Sequence, residues 1–215
     1  GLARLSGINA IPLAEGRPTF SIQELKIALN EANSGRVSNE VGCVVIESPV
    51  RRQAGQIMPL NEMIAITNFC RAQGIGTHLD GARLYMMSAV TGVSPKRYAD
   101  LFDTVYVSLY KYFGAPMGAV LAGPTIYLDG IHHERRMYGG GLASAAIPAS
   151  LALHTLKGFE TRFAKAMSKG LSLFADLNNV NGISVVHFDH GSNVFELRLD
   201  NSIHYGRLRA SLQCH

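Results

Sequence analysis

The sequence predicts an α/β protein whose mostly parallel sheet is covered by helices on both faces and followed by a smaller antiparallel unit. Short apolar runs typical of buried strands alternate with longer segments of helical apolar spacing. Near the C-terminus, two runs alternate apolar and polar residues instead, as half-exposed strands do. With 215 residues, the chain is long enough to bury a substantial core.

The first elements follow from local signals. Ser21, followed three residues later by Glu24, predicts a capping box that opens a helix in "FSIQELKIALNEAN". The run "VGCVVIES" predicts a buried strand. In "PLNEMIAITNFCRAQGI", Pro59 lies near the start of a helix and Gly74 fits its C-cap. The segment "GTHLDGARL" predicts a strand followed by a turn.

The later elements complete the pattern. "DTVYVSLY" and "GAVLAGP" predict two further strands. Residues 144–179 predict helix with a break near Gly158, because glycine weakens a helix interior. "GISVVHF" and "SNVFELRL" predict the half-exposed strands, and a last helix follows them.

Composition argues against several partners. The net charge of +4 comes without a basic block, so nucleic acid is not expected. No apolar run reaches the roughly 18 residues of a membrane span, so no membrane is expected. The odd number of cysteines (Cys43, Cys70 and Cys214) predicts reduced thiols and a cytoplasmic location, with Cys43 in a strand core. The histidines and cysteines lack metal-site spacing, so we expect no metal.

Charged residues mark the predicted strand ends, where ligands of parallel sheets collect. Asp80 closes "GTHLD", Arg83 follows the turn, and Lys111 closes "TVYVSLYK". A lysine forms a Schiff base with an aldehyde cofactor, and a carboxylate pairs with a pyridinium nitrogen, as in pyridoxal phosphate enzymes. The alternative for each residue alone is ordinary: a solvated lysine at a strand end and an aspartate in a turn.

Three segments carry a resemblance: "HLDGARLYMMSAV", "VYVSLYKYFGAPMGAVLAGP" and "RRMYGGGLASAAIPASLALHTL". Together they resemble the β-eliminating lyase/threonine aldolase family, and "ESPVRRQAGQIMP" resembles a subgroup of it. The resemblance implies a three-layer fold of the aspartate aminotransferase type and pyridoxal 5'-phosphate as cofactor. It also implies that residues 1–143 belong to a large cofactor-binding domain, 144–179 to connecting helices and 180–215 to a small C-terminal domain.

The resemblance also implies roles for single residues. Lys111 resembles the Schiff-base lysine, Asp80 the partner of the pyridine nitrogen, and Arg83 a residue near the ring hydroxyl and the substrate carboxylate. Ser108 and Arg136 are implied on the phosphate side. His78 shares a strand face with Asp80, which leaves two possibilities: a position near the ring, or a structural hydrogen bond.

The implied reaction is cleavage of the Cα–Cβ bond of β-hydroxy-α-amino acids, with threonine or allo-threonine giving glycine and acetaldehyde. The alternatives are β-elimination or racemisation on the same fold, and a non-catalytic homologue. A homodimer or homotetramer is implied as well. The chain departs from the family pattern at Ala143, where close relatives carry arginine, and after Glu47, where better-known aldolases carry histidine. It is expected to be a fragment that lacks the family's phosphate-cradling segment before Gly1 and its carboxylate-binding arginine after His215.

Overall fold

The computed structural model describes residues 2–213 and contains a four-stranded sheet in the order β1-β2-β3-β4. The first three strands are parallel, and β4 runs antiparallel to β3. The strands are β1 (Cys43–Glu47), β2 (Gly76–Asp80), β3 (Thr104–Ser108) and β4 (Ala119–Ala122). The predicted mostly parallel sheet is therefore confirmed.

Helices precede, connect and follow these strands. In chain order they are α1 (Leu2–Ser6), α2 (Ile22–Asn33), α3 (Leu60–Ala72), α4 (Leu84–Thr91), α5 (Pro95–Ala99), α6 (Thr125–Leu128), α7 (Ile131–Met137), α8 (Ala146–Leu156), α9 (Phe159–Asn178) and α10 (Tyr205–Gln213). A short 3-10 helix (Arg51–Gln53) lies between β1 and α3. None of the helices within residues 2–213 combines the length and the apolar character that crossing a bilayer requires.

The predicted helix boundaries rest on identifiable caps. Ser21 and Glu24 form the complete capping box at the start of α2, as predicted. Helix α3 follows Pro59, and its C-cap is Gln73, so the predicted cap Gly74 lies one residue further, in the left-handed conformation. The break between α8 and α9 falls at Gly158, whose φ of +68° suits glycine.

One face of the sheet carries the main core. Side chains from alternate strand positions, such as Ile46, Leu79 and Val105, pack there against helices α2 to α5. The opposite face differs from the prediction of helices on both faces, because β1 exposes Cys43 and Val45 on it. On β2 and β3 this second face carries mainly polar side chains, and the candidate site lies on it.

Two local predictions are wrong. Cys43 is exposed rather than part of a strand core, because it occupies the open face of an edge strand; Cys70 is buried, and Cys214 lies outside the described residues. Strand β3 ends at Ser108, so Lys111 lies in the turn that follows and not at the last strand position. The chain bends back there, and Leu109 donates a backbone hydrogen bond to Gly118.

The predicted antiparallel unit is present as β5 (Ile183–His187) and β6 (Phe195–Leu199). It contacts α9, and Phe174 of that helix packs on Phe195 with ring centroids 4.5 Å apart. The loop between the two strands reaches the β1–α3 loop: the Ser192 hydroxyl donates to the Gly55 carbonyl at 2.6 Å.

Candidate active site

The carboxyl ends of β1, β2 and β3 bring polar side chains to one region of the sheet. Glu47 is the register partner of Asp80, and Asp80 is the register partner of Tyr106. Register partners on neighbouring strands point to the same face, and so do residues two positions apart on one strand. Glu47, Asp80, Tyr106 and Ser108 therefore share the second face of the sheet.

Asp80 is held by a tight turn. Its Oδ1 atom accepts the backbone N–H of Ala82 at 3.1 Å, which uses one carboxylate oxygen. The intervening Gly81 passes so close to β3 that an added Cβ would lie 2.9 Å from the carbonyl oxygen of Tyr106. The turn thus uses the Asp80 carboxylate and requires glycine at position 81, and no ion pair within residues 2–213 engages Asp80.

Arg83 and Glu47 face one another across the strand ends. Arg83 is the N-cap of α4, and its NH1 atom lies 3.9 Å from Glu47 Oε1. The same Oε1 atom accepts the backbone N–H of Arg51 at 2.9 Å. Glu47 therefore fixes the start of the β1–α3 loop and provides a negative charge beside the Arg83 guanidinium.

Lys111 is placed by a hydroxyl and by an aromatic ring. Its Nζ atom donates to Ser108 Oγ at 3.0 Å and lies 5.1 Å from the centroid of the Tyr110 ring. Ser108 is fully buried, and its hydroxyl also contacts Tyr106 Oη at 3.2 Å. No carboxylate within residues 2–213 forms an ion pair with Lys111, so its amine is available to a ligand.

His78 lies two residues before Asp80 on the same face. Its Nδ1 atom lies 2.8 Å from the Thr104 hydroxyl. Burial lowers the pKa of His78, and the nearby Asp80 carboxylate opposes this shift only in part. The structural hydrogen bond that the sequence left open as one possibility is therefore present, and burial favours the neutral imidazole.

Aromatic side chains pack against one another beside the turn that carries Lys111. Phe113 is buried between Tyr85 and Phe159, with ring centroids 5.1 Å away in both cases. Tyr112 packs on Phe159, and its buried hydroxyl has no hydrogen-bond partner among residues 2–213. Burial raises the pKa of Tyr112, so this side chain stays protonated.

Arg136 is not joined to these residues. It lies on α7 with its side chain exposed, and no hydrogen bond or ion pair within residues 2–213 connects it to the other candidates. Its predicted role on the phosphate side stays a prediction. Within the same residues, no three His, Cys, Asp or Glu side chains converge as a metal site would require.

Sequence reasoning missed Glu47 and Tyr106 as site residues. The rule that selected Asp80, position at the carboxyl end of a strand, also applies to Glu47 in "CVVIE". Tyr106 precedes Ser108 by two positions on a predicted strand, and side chains at that spacing point to the same face, so the candidate Ser108 also indicates Tyr106.

The residues present fit pyridoxal phosphate. Asp80, with one oxygen that no group of residues 2–213 engages, ends β2. Lys111, whose amine has no carboxylate partner among the same residues, lies in the turn after the neighbouring strand β3. These are the two groups that an aldehyde and a basic ring nitrogen require. The guanidinium of Arg83, beside Glu47, adds a donor for an anionic group.

Comparison with known proteins agrees with this chemistry. A family model described as beta-eliminating lyase matches residues 1–199. The low-specificity L-threonine aldolase of Candida albicans is 41% identical over 102 residues, which cover 47% of this chain and 27% of that protein. A Listeria monocytogenes protein, proposed to be an L-allo-threonine aldolase, has a solved structure that matches with 31% identity and a TM-score of 0.76. That match covers 94% of this chain and 54% of the Listeria chain.

A protein with more distant sequence similarity shares the fold. The aspartate aminotransferase of Thermus thermophilus, solved with maleate, is 15% identical with a TM-score of 0.55, covering 84% of this chain and 46% of that one. The predicted fold of the aspartate aminotransferase type is therefore confirmed. The chain spans about half the length of the solved relatives that it matches.

Proposed function

The chain belongs to the beta-eliminating lyase family, and we propose that the whole protein is a pyridoxal phosphate-dependent lyase that cleaves the Cα–Cβ bond of β-hydroxy-α-amino acids. Its substrates are threonine or allo-threonine, and its products are glycine and acetaldehyde. The names of the Candida and Listeria relatives support this substrate class.

The observation that carries the proposal is the placement of Asp80 at the end of β2 and of Lys111 in the turn after the neighbouring strand β3. The Lys111 amine has only the Ser108 hydroxyl as a hydrogen-bond partner within residues 2–213, so it is free to bind an aldehyde carbon. The second carboxylate oxygen of Asp80 has no hydrogen-bond partner among the described residues, so it can hold a proton on a ring nitrogen.

When bound, pyridoxal phosphate supplies an electron-poor ring that accepts the electron pair released at the substrate α-carbon. The chain's own residues bind and orient. Lys111 holds the aldehyde carbon, and Asp80 keeps the ring nitrogen protonated. Arg83, whose side chain is 19% exposed, lies near the ring hydroxyl and the substrate carboxylate and contributes a donor to them. Which α-carbon bond breaks depends on how these groups orient the substrate.

The test is product analysis with the whole protein. Incubation with L-threonine and L-allo-threonine should release glycine and acetaldehyde in equal amounts, and Lys111→Ala should abolish the release. Borohydride reduction followed by peptide mapping should find the cofactor on Lys111. Attachment to Lys96 or Lys157 instead would contradict the assignment.

The same experiment separates the alternatives. Release of pyruvate from serine would indicate β-elimination, and conversion of one alanine enantiomer into the other would indicate racemisation. A protein that shows neither the absorbance of bound cofactor nor any of these products would be a non-catalytic homologue.

We propose that the whole protein is a homodimer or homotetramer. Sedimentation of the whole protein tests this, and a fully active monomer would contradict it.

The proposed cytoplasmic location is supported by the thiols of Cys43 and Cys70, which form no disulfide within residues 2–213, and cell fractionation tests it.

The proposed division of the chain is supported by the separate four-stranded and two-stranded sheets. It consists of a large cofactor-binding domain (1–143), connecting helices (144–179) and a small domain (180–215).

A further inference from the structure

We propose that Tyr106 is a positioning residue that turns the hydroxyl proton of Ser108 away from Lys111 and so leaves the lone pair of the Lys111 amine free to react. The inference rests on the proposed function, because it concerns the reactivity of the lysine that binds the cofactor.

The geometry is a short chain of hydrogen bonds on one face of the sheet. Lys111 Nζ donates to Ser108 Oγ at 3.0 Å, and Ser108 Oγ lies 3.2 Å from Tyr106 Oη, within hydrogen-bond distance. Tyr106 and Ser108 are two positions apart on β3, so their side chains emerge from the same face. Ser108 has no exposed surface, so water does not compete for its hydroxyl.

The argument depends on the number of protons. A serine hydroxyl has one proton to donate and two lone pairs that accept. While Tyr106 accepts that proton, Ser108 can only accept from the amine of Lys111. The neutral amine, which is the form that attacks an aldehyde, then donates one N–H to Ser108 and keeps its lone pair for the aldehyde carbon. Condensation forms a C=N bond, and the two amine hydrogens leave with the aldehyde oxygen as water.

Without the Tyr106 oxygen, the Ser108 proton has to find another acceptor. A buried hydroxyl that loses its acceptor is costly, so it rotates towards the nearest available lone pair. Within residues 2–213 the structure shows no other hydrogen-bond acceptor for this hydroxyl, and its other neighbour is the Lys111 amine. A proton donated to that amine would occupy the electron pair that has to attack the aldehyde.

Tyr110 does not perform this task, although it also contacts Lys111. The Lys111 amine lies over the face of the Tyr110 ring, which stabilises a positive charge but accepts no proton from Ser108. The Tyr110 side chain is 49% exposed. The two tyrosines therefore act differently. Tyr110 acts on the charge of the Lys111 amine, and Tyr106 acts on the direction of the Ser108 hydroxyl.

The test is the rate at which Lys111 takes up the cofactor, measured on the whole protein after its cofactor has been removed. Samples mixed with pyridoxal phosphate are quenched at intervals with borohydride, which reduces the C=N bond to a stable amine, and the Lys111 peptide is quantified. Tyr106→Phe keeps the ring and removes only the acceptor, while Tyr127→Phe removes an exposed hydroxyl from α6 and serves as the control.

We expect Tyr106→Phe to slow uptake at Lys111 roughly three- to tenfold, the effect of one ordinary hydrogen bond. Tyr127→Phe should leave the rate unchanged. On a Ser108→Ala background, where no hydroxyl proton exists, Tyr106→Phe should change nothing further. Thermal unfolding of each variant confirms that the differences do not come from loss of the fold.

Two results would overturn the inference alone. Uptake by Tyr106→Phe at the wild-type rate would show that the hydroxyl direction does not matter. The same slowing on the Ser108→Ala background would assign the effect to the packing of the tyrosine. A wild-type protein that never takes up cofactor at Lys111 would instead overturn the proposed function itself, and this inference with it.

Discussion

At the scale of single residues, Asp80 combines an observed structural role with a proposed chemical one. One oxygen accepts the Ala82 N–H and closes the turn, which is the ordinary role of an aspartate before glycine. The other oxygen accepts no hydrogen bond from residues 2–213. The structural explanation of "DGAR" is therefore present and leaves this oxygen for the proposed chemical role, and a substitution that keeps only the first role can separate the two.

Asp80→Asn is that substitution. The amide oxygen still accepts the Ala82 N–H, so the turn and the uptake of cofactor on Lys111 should persist. Turnover of threonine should fall roughly 10²-fold, because an amide cannot hold the ring nitrogen protonated. Asp100→Asn, which removes an exposed partner of Lys96, is the control. Unchanged turnover in Asp80→Asn would disprove the pairing.

His78 predicts a pH dependence of stability. Burial lowers its pKa in the folded state, so below the ordinary pKa near 6.5 the unfolded chain binds more protons than the folded one. Stability linked to His78 is therefore present at neutral pH and lost as the pH falls below that value. In His78→Asn, the free energy of unfolding should therefore fall less steeply as the pH is lowered.

The measurement is urea unfolding at about pH 7.5 and about pH 5.5, on either side of the ordinary histidine pKa. Wild type should lose more stability between the two conditions than His78→Asn does. His154→Asn, on the exposed side of α8, should behave as wild type does. An equal loss in wild type and His78→Asn would mean that the environment of His78 does not disfavour its charged form.

At the scale of elements, sequence patterns were sufficient where one local signal decides. The capping box at Ser21, the strand β1 and the break at Gly158 all lie where they were predicted, although β1 is buried on one face only. Helix α4 was not predicted, because its sequence "LYMMSAVT" is almost wholly apolar and shows no polar face. The end of β3 was misplaced because "VYVSLY" continues its apolar character beyond the last paired residue, Ser108.

The capping box gives a prediction for α2. The Ser21 hydroxyl accepts the Glu24 N–H, and Glu24 returns a bond to the Ser21 backbone. Ser21→Ala should lower the free energy of unfolding by about 0.5–2 kcal/mol, because the first turn loses its acceptor. Ser168→Ala, at an exposed position inside α9, should cause no such loss. Equal effects in urea unfolding would show that the cap does not stabilise α2.

At the scale of the whole molecule, the site depends on pairings that a single sequence does not reveal. The sequence selected Asp80 and Lys111 because each follows an apolar run. It could not show that Glu47, some thirty residues earlier, is the register partner of Asp80, or that Tyr106 is its partner on the other side. Such partners come from long-range register, which the hydrophobic pattern of one strand does not specify.

A second long-range arrangement joins the β5–β6 unit to the loop that carries Arg51. Ser192, 4% exposed, donates to the Gly55 carbonyl at 2.6 Å, and the Ile57 N–H donates to the His190 carbonyl at 2.8 Å. The contact is close: a Cβ on Gly55 would lie 2.5 Å from Ser192 Oγ. These bonds hold the β1–α3 loop in place beside the strand ends of the site.

Ser192→Ala should loosen this junction. The Gly55 carbonyl would lose its buried partner, at a cost of about 1–3 kcal/mol in the free energy of unfolding. Hydrogen exchange at the Ile57 amide should accelerate, because the opening that breaks its bond to His190 becomes easier. Ser184→Ala, an exposed serine of β5, is the matched control and should change neither quantity. If Ile57 kept its wild-type protection in Ser192→Ala, the loop would be held by contacts other than these, and the β5–β6 unit would have no part in shaping the site.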